Sequence, residues 1–193
     1  MFKRQQKYYT PEEYLALEET ADYKSEYYQG EIFAMAGGPA NHNRIALNMA
    51  SMFNLAFESG SCEAFASDVR LLVKKIDLYT YPDVMVICGQ IEFVAGRADT
   101  VANPVLIVEV LSESTEGYDR GKKFEFYRMI PTLEYYLLAA QDRVHLEYFH
   151  KMSDGRWALQ EFNNLAEVLK IESLALEMPL NRIYNRVTFE TTE

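Results

Sequence analysis

Positive charge is scarce in this sequence: 19 Lys and Arg stand against 29 Asp and Glu, a formal net charge of −10. Broad nucleic-acid binding wants a basic face that neutralises phosphates. Composition therefore counts against a DNA partner, although a metal-dependent site must itself gather carboxylates. Cysteine is nearly absent. Cys62 and Cys88 lack the spacing of metal ligands and read as buried apolar thiols. Long apolar runs are missing, since nothing approaches the ~18 residues of a membrane span. The opening MFKRQQKYYT is charged and aromatic, without the apolar stretch of a signal peptide. The expectation is a cytoplasmic protein with no membrane partner. Repeats, low-complexity tracts and Pro/Gly/Ser-rich linkers are lacking too, so residues 1–193 read as a single domain. No zinc finger or appended helix-turn-helix offers itself as a DNA reader.

What is present is an ordinary globular composition, 49% apolar and 13% aromatic. In TPEEYLALEE, Thr10 is placed as an N-cap, Pro11 at the first helical position and two acids in the first turn, which predicts a short helix. YYQGEIFAMAG predicts a turn at Gln29-Gly30 leading into a strand. Apolar residues at helical spacing predict a helix from Asn41 to about Glu58. Strands are expected around 62–67, 69–74, 82–87 and 104–111, and a helix from about 116 to 129. EYYLLAA, RVHLEYF and RWALQEF then predict a second strand cluster, with a turn at Ser153-Asp154-Gly155. Elements segregated in this way argue for an α/β (α+β mixed) fold around a mixed sheet.

Three charged residues break the apolar pattern. PVLIVEVLSEST reads as a strand buried on both faces, yet carries Glu109 in its middle. A lone ionised carboxylate there would cost several kcal/mol unless paired or coordinated. YPDVMVIC repeats the anomaly with Asp83 at its start. Neighbouring strands would bring the two acids together, and like charges a few ångströms apart either take up a proton or share a cation. For oxygen ligands that cation is Mg²⁺ or Mn²⁺. The plainer alternatives are a turn residue after Pro82 and an acid at a solvated strand end. On the helix EGYDRGKKFEFYRMI, Lys123 falls within the arc of Phe126, Tyr127 and Ile130, with Lys122 at its edge. An inward lysine needs an anionic partner or a task, the plain versions being snorkelling or an i,i+4 pair with Asp119.

The ordered series YTPEEYLALEE, SEYYQGEIFAM, NHNRIALNMA, SDVRLLV, YPDVMVI, NPVLIVEVLSEST and YDRGKKFEFYR, leading into IPTLEYYLL, resembles the Uma-two family of restriction-endonuclease-like proteins. That family lies within the PD-(D/E)xK nuclease superfamily, and the resemblance runs roughly from Tyr9 to Phe149. It implies a restriction-endonuclease-like core, a central mixed sheet flanked by helices, here with additional C-terminal antiparallel strands. It implies that Pro82-Asp83 is the PD half-motif and Glu109 the following acid. Leu111 stands where the parent pattern has its lysine, and Lys123 on the next helix takes that place. Glu26 matches the upstream acid of the family.

The resemblance thus implies a Mg²⁺- or Mn²⁺-dependent DNA endonuclease with Glu26, Asp83, Glu109 and Lys123 as catalytic residues. Asp83, Glu109, the Val110 backbone carbonyl and Glu26 would hold the metal. A homodimer would serve both strands of a duplex. DNA contacts would fall to Arg44, Lys74, Lys75, Lys122 and Arg120, too few for more than weak, salt-sensitive binding. His42 is a site neighbour or a helix-start residue. Asp68 and Arg70 read as salt-bridge formers, with a phosphate contact from Arg70 as the alternative. Ser112, Ser114 and Thr115 read as caps of the following helix. Two rival functions stand beside the nuclease: a silent nuclease fold kept as a binding module, and a metal hydrolase of RNA or small phosphoesters.

Overall fold

The computed structural model describes residues 7–189. Helix α1 (Pro11–Glu18) starts as its sequence predicts. The Thr10 hydroxyl accepts from the Glu13 N–H at 3.2 Å, and the Glu13 carboxylate accepts in return from the Thr10 N–H at 2.8 Å. Replacing Thr10 with alanine is expected to cost about 1 kcal/mol, read as a melting temperature lower by about 2–4 °C. Strands β1 (Ser25–Tyr28) and β2 (Glu31–Ala34) form a hairpin, so the expected turn has a strand on each side. Gln29 and Gly30 both adopt positive φ, 49° and 87°, as a two-residue hairpin loop requires. Helix α2 (Ala40–Phe57) follows.

The remaining strands are β3 (Cys62–Ala66), β4 (Arg70–Val73), β5 (Leu78–Thr80), β6 (Val84–Cys88), β7 (Thr100–Val101), β8 (Leu106–Leu111), β9 (Tyr135–Ala140), β10 (Leu146–Lys151), β11 (Trp157–Phe162), β12 (Val168–Ile171) and β13 (Leu176–Pro179). Between β8 and β9, α3 (Glu116–Tyr118), a π-helical turn (Asp119–Lys123) and α4 (Phe124–Tyr127) follow one another without a break. A last helical turn, α5 (Leu180–Ile183), closes the described chain.

The central sheet is mixed, in the order β11-β10-β9-β8-β6-β3, with β8 and β9 parallel and its other pairs antiparallel. The expected strand cluster is therefore an extension of the central sheet through β9. The strand near 69–74 belongs elsewhere. It is β4 of a second sheet, β2-β1-β5-β4-β7, while β12 and β13 pair separately. Burial explains the layering. Val84, Val86, Leu106, Val108 and Val110 meet Ile45, Met49 and Phe53 of α2 on one face. Met85, Ile87, Ile107 and Leu111 meet Leu71, Val73 and Leu78 of the second sheet, with Phe126 and Tyr127, on the other. β8 is thus covered on both sides, which is why it reads as a continuous apolar run.

The cysteines are not separate thiols. Cys62 and Cys88 stand directly opposite on β3 and β6, with Cα atoms 3.9 Å apart, and form a disulfide. Ladder register brings them together, and register is not visible in the spacing of two residues. Among the described residues no helix is long and apolar enough to cross a membrane.

A candidate site of acids and one lysine

Glu109 lies in the middle of β8, 4% exposed, and its side chain shares a sheet face with Ile107 and Leu111. Asp83 immediately precedes β6. One step beyond the Val84–Val108 pair, the β6–β8 ladder sets Asp83 beside Glu109. The Val110 N–H donates to Asp83 Oδ2 at 2.7 Å, so Val110 touches Asp83 through its backbone nitrogen. Glu26 on β1 comes over from the second sheet, where its Oε1 accepts from the Thr80 hydroxyl.

Lys123 enters from the helical segment. Its Nζ stands 2.9 Å from Glu109 Oε1, 3.5 Å from Asp119 Oδ1 and 3.7 Å from Glu26 Oε1, and the residue is 6% exposed. The helical arc thus picks out the buried lysine of the pair. Lys122 points outward and pairs with Glu125 at 3.3 Å. The segment carries both inward charges, Asp119 and Lys123, at the two ends of its π-helical turn, and the Tyr136 hydroxyl donates to the Asp119 carbonyl at 3.0 Å. Turns of this kind recur at functional sites because they re-aim side chains that a regular helix would point elsewhere.

Two participants went unread as site residues. Asp119 is legible as an i,i+4 partner of Lys123, but its burial beside the other acids is not. Tyr127 counts as apolar in the helical arc, whereas its hydroxyl donates to Glu109 Oε1 at 2.7 Å. His42, near the start of α2, places Nε2 3.2 Å from Asp83 Oδ2.

Three carboxylates therefore crowd around one ammonium group, with Asp83 beside Glu109 and His42 beyond it. Burial, followed by the charges of Asp83 and Asp119, pushes the Glu109 carboxyl up to about 8 against the pull of Lys123. Asp119 is raised as well, chiefly by burial. Burial would lower Lys123, but Glu109, Glu26 and Asp119 outweigh it and hold the ammonium well above its ordinary value. His42 is raised, since the hydrogen bond and charge of Asp83 outweigh its burial.

As they stand, no three His, Cys, Asp or Glu side chains among the described residues are grouped closely enough to hold a metal ion. Asp83 faces His42 and the Val110 N–H, while Glu109 faces Lys123 and Tyr127. The donor set itself fits a hard dication, being carboxylate oxygens in excess over their cationic partners.

Most of the other cations singled out in the sequence are engaged by acids. Arg70 is buried, its guanidinium donating to the Tyr81 hydroxyl at 2.6 Å and to Thr100 Oγ1 at 3.1 Å, with Glu18 and Asp99 at 3.7 and 3.5 Å. Asp68 pairs with Lys24 rather than with Arg70. Lys74 pairs with Glu92 at 2.8 Å. Arg120 is shared between Glu116 and Glu147. Arg44 and Lys75 are exposed and have no carboxylate partner among the described residues. The helix after β8 is capped differently from expectation: the Ser112 carbonyl accepts from the N–H groups of Thr115 and Glu116, while the Ser112 hydroxyl bonds to the hydroxyls of Ser114 and Thr115.

Residues 11–181 match the Uma2 family, described as "Putative restriction endonuclease". The chain belongs to the Uma2 family. It is 45% identical over 152 residues to the uncharacterized protein sll1609 of Synechocystis sp., covering 79% of this chain and 86% of that one. To the uncharacterized protein slr1290 of the same organism it is 37% identical over 182 residues, 93% of each chain. A solved structure from Anabaena variabilis, described as "a putative nuclease belonging to DUF820", superposes with a TM-score of 0.76 at 18% identity, covering 93% of this chain and 99% of that one. At that identity the likeness concerns the fold. The family match and the fold bear out the resemblance to restriction-endonuclease-like proteins and the mixed α/β class read from sequence.

Proposed function

We propose that this Uma2 protein is a divalent-metal-dependent endonuclease that hydrolyses phosphodiester bonds of DNA. The observation that carries the reading is the convergence of Glu109, Asp119 and Glu26 on a buried lysine, with Asp83 set beside Glu109 on the adjacent strand. Such crowding is unfavourable for a fold and suited to a cation. Asp83, Glu109 and the Val110 carbonyl would hold Mg²⁺ or Mn²⁺, with Glu26 in support. When bound, the ion supplies a lowered pKa for an attacking water and neutralises charge at the phosphate.

The residues of the chain do the rest. Lys123 orients the water and offsets charge on the phosphate. Tyr127 fixes the Glu109 carboxylate by donating to it, and Asp119 holds the lysine's approach. His42 keeps Asp83 aimed from the far side. Cutting both strands of a duplex would take two sites, and in that case a homodimer would supply them. A cytoplasmic location belongs to it too, although the Cys62–Cys88 pair would meet a reducing environment there.

One alternative has an observation of its own: a nuclease fold retained as a binding module, favoured by the acid partners that engage Lys74, Lys122 and Arg120. Cleavage of supercoiled plasmid at low salt with Mn²⁺ separates the two. Nicking by the wild type and its loss in Glu109→Ala are expected. No cleavage by either protein would sink the nuclease reading in favour of the module, and equal cleavage by both would mean the activity lies outside this site.

A further inference from the structure

Two exposed aromatic rings stand at the acid–lysine site without a partner role in the core. Tyr118 is 39% exposed, one residue before the π-helical turn, and its ring centroid lies 6.0 Å from Lys123 Nζ. Its hydroxyl lies within the field of the site's charges. Burial, then the charge of Glu26, push it up to about 12, with Asp119 and Glu109 adding to the rise and Lys123 opposing it. Phe33 is 47% exposed on β2, directly across the hairpin from Glu26. Opposed residues in an antiparallel pair share a face, so Phe33 flanks Glu26 on the side that looks toward the helical segment. Tyr28, two residues from Glu26 on that same face, confirms the orientation by packing on Phe126, ring centroids 4.7 Å apart. Phe33 thus neighbours Glu26 and Tyr118 neighbours Lys123, the two members of a pair 3.7 Å across.

The charge around them is unsuited to a duplex. Specific grip on double-stranded DNA draws on many phosphate contacts from free Lys and Arg. Here Lys122 is paired with Glu125, Lys74 with Glu92, and Arg120 with Glu116 and Glu147. Base stacking on aromatic faces is the other common source of affinity for nucleic acid. It needs bases that are already unpaired and tolerates any sequence.

We infer that Phe33 and Tyr118 form a stacking platform beside the acid–lysine site, and that the strand presented to this site is single-stranded nucleic acid with its bases laid on those two rings. The inference rests on the nuclease reading for what happens next to the platform, but the binding it describes does not require cleavage. With one base stacked on each ring, affinity comes from the rings, and few free cations are needed. A duplex keeps its bases paired and offers the rings nothing.

Fluorescence anisotropy in EDTA tests the platform apart from any metal-dependent chemistry. Fluorescein-labelled DNA single strands, RNA of the same sequence and the DNA duplex are titrated with wild type, Phe33→Ala, Tyr118→Ala and Tyr118→Phe. Wild type is expected to bind single strands at least tenfold tighter than duplex. Each alanine variant is expected to weaken that binding about tenfold, the effect of losing one stacked base, while Tyr118→Phe stays within about twofold because it keeps the ring. A preference for DNA or RNA over the other identifies which single strand the rings accept. Duplex binding as tight as single-strand binding, alanine variants that bind like wild type, or no binding of any probe would each overturn the inference. Single-strand binding that depends on both rings, in a protein that cuts nothing with Mn²⁺, would sink the nuclease reading and leave the platform standing. Metal-dependent cleavage of duplex unaffected by either alanine variant would do the reverse.

Discussion

Replacing Lys123 with alanine is expected to destabilise the protein by roughly 3–5 kcal/mol at alkaline pH, the range for removing one partner of a buried ion pair. Lys123 is the ammonium group that Glu109, Asp119 and Glu26 share, at 2.9, 3.5 and 3.7 Å. Without it, Glu109 and Asp119 keep their burial and mutual repulsion and lose the attraction that opposes both. Their folded-state pKa values then rise further. Groups with raised folded values contribute stability that is present below their unfolded values and is lost as pH rises through the folded ones. The loss should therefore be small near pH 5, where Glu109 is protonated, and grow toward about pH 9, above the value of about 8 that Glu109 has with the lysine in place. Thermal melts of wild type and variant across that range measure it. A deficit of the same size at every pH would mean that only packing around the lysine stem was removed, and the electrostatic account would fail.

How much of this was legible follows from how local each signal is. Glu109 stands out because the five residues from Val105 to Val110 around it are apolar, and a strand buried on both faces leaves no side for a charge. Lys123 stands out for a similar reason, since the alternation of Phe126, Tyr127 and Ile130 with Glu125 and Arg128 defines an arc even across a π-helical turn. The Thr10–Glu13 capping box lies within four residues. Glu26 is different: three residues before a hairpin loop, among tyrosines, it carries no anomaly of its own and only the family resemblance singles it out.

What escaped was decided by pairing between distant segments. RLLV of β4 and VMVI of β6 look alike as strings, yet they belong to different sheets. The disulfide depends on Cys62 and Cys88 occupying one rung of the β3–β6 ladder. Lys74, Lys122 and Arg120 looked available for phosphates because the acids that engage them lie 18, 3 and 27 residues away, and only the fold or the helical register selects them. Asp119 joined the site because a π-helical turn carries it inward with Lys123, a geometry that the sequence does not announce.

Replacing Glu109 with glutamine is expected to raise the metal-free melting temperature at alkaline pH while abolishing its response to Mg²⁺ or Mn²⁺. Glutamine preserves the shape and can still accept from Tyr127 and Lys123, which now stand 2.7 and 2.9 Å from Glu109 Oε1. It carries no charge to desolvate. The wild-type carboxyl titrates at about 8 in the fold against an ordinary 4.5, and each unit of such a difference corresponds to about 1.4 kcal/mol. The sign follows from the raised value. Below the unfolded value both proteins are equally free of the charge, and the wild type's disadvantage opens between about pH 4.5 and 8 and is full above. A gain of a few kcal/mol for the glutamine variant near pH 9, fading to nothing near pH 5, is the expected pattern. Saturating Mn²⁺ should reverse the order, because an ion that binds only the folded wild type stabilises it by mass action. A glutamine variant that melts lower at every pH would show instead that Glu109 is ionised and needed as the lysine's partner. A stability gained by removing a buried charge and given back when a cation arrives is what separates a site that tolerates its acids for chemistry from one that uses them to hold the fold together.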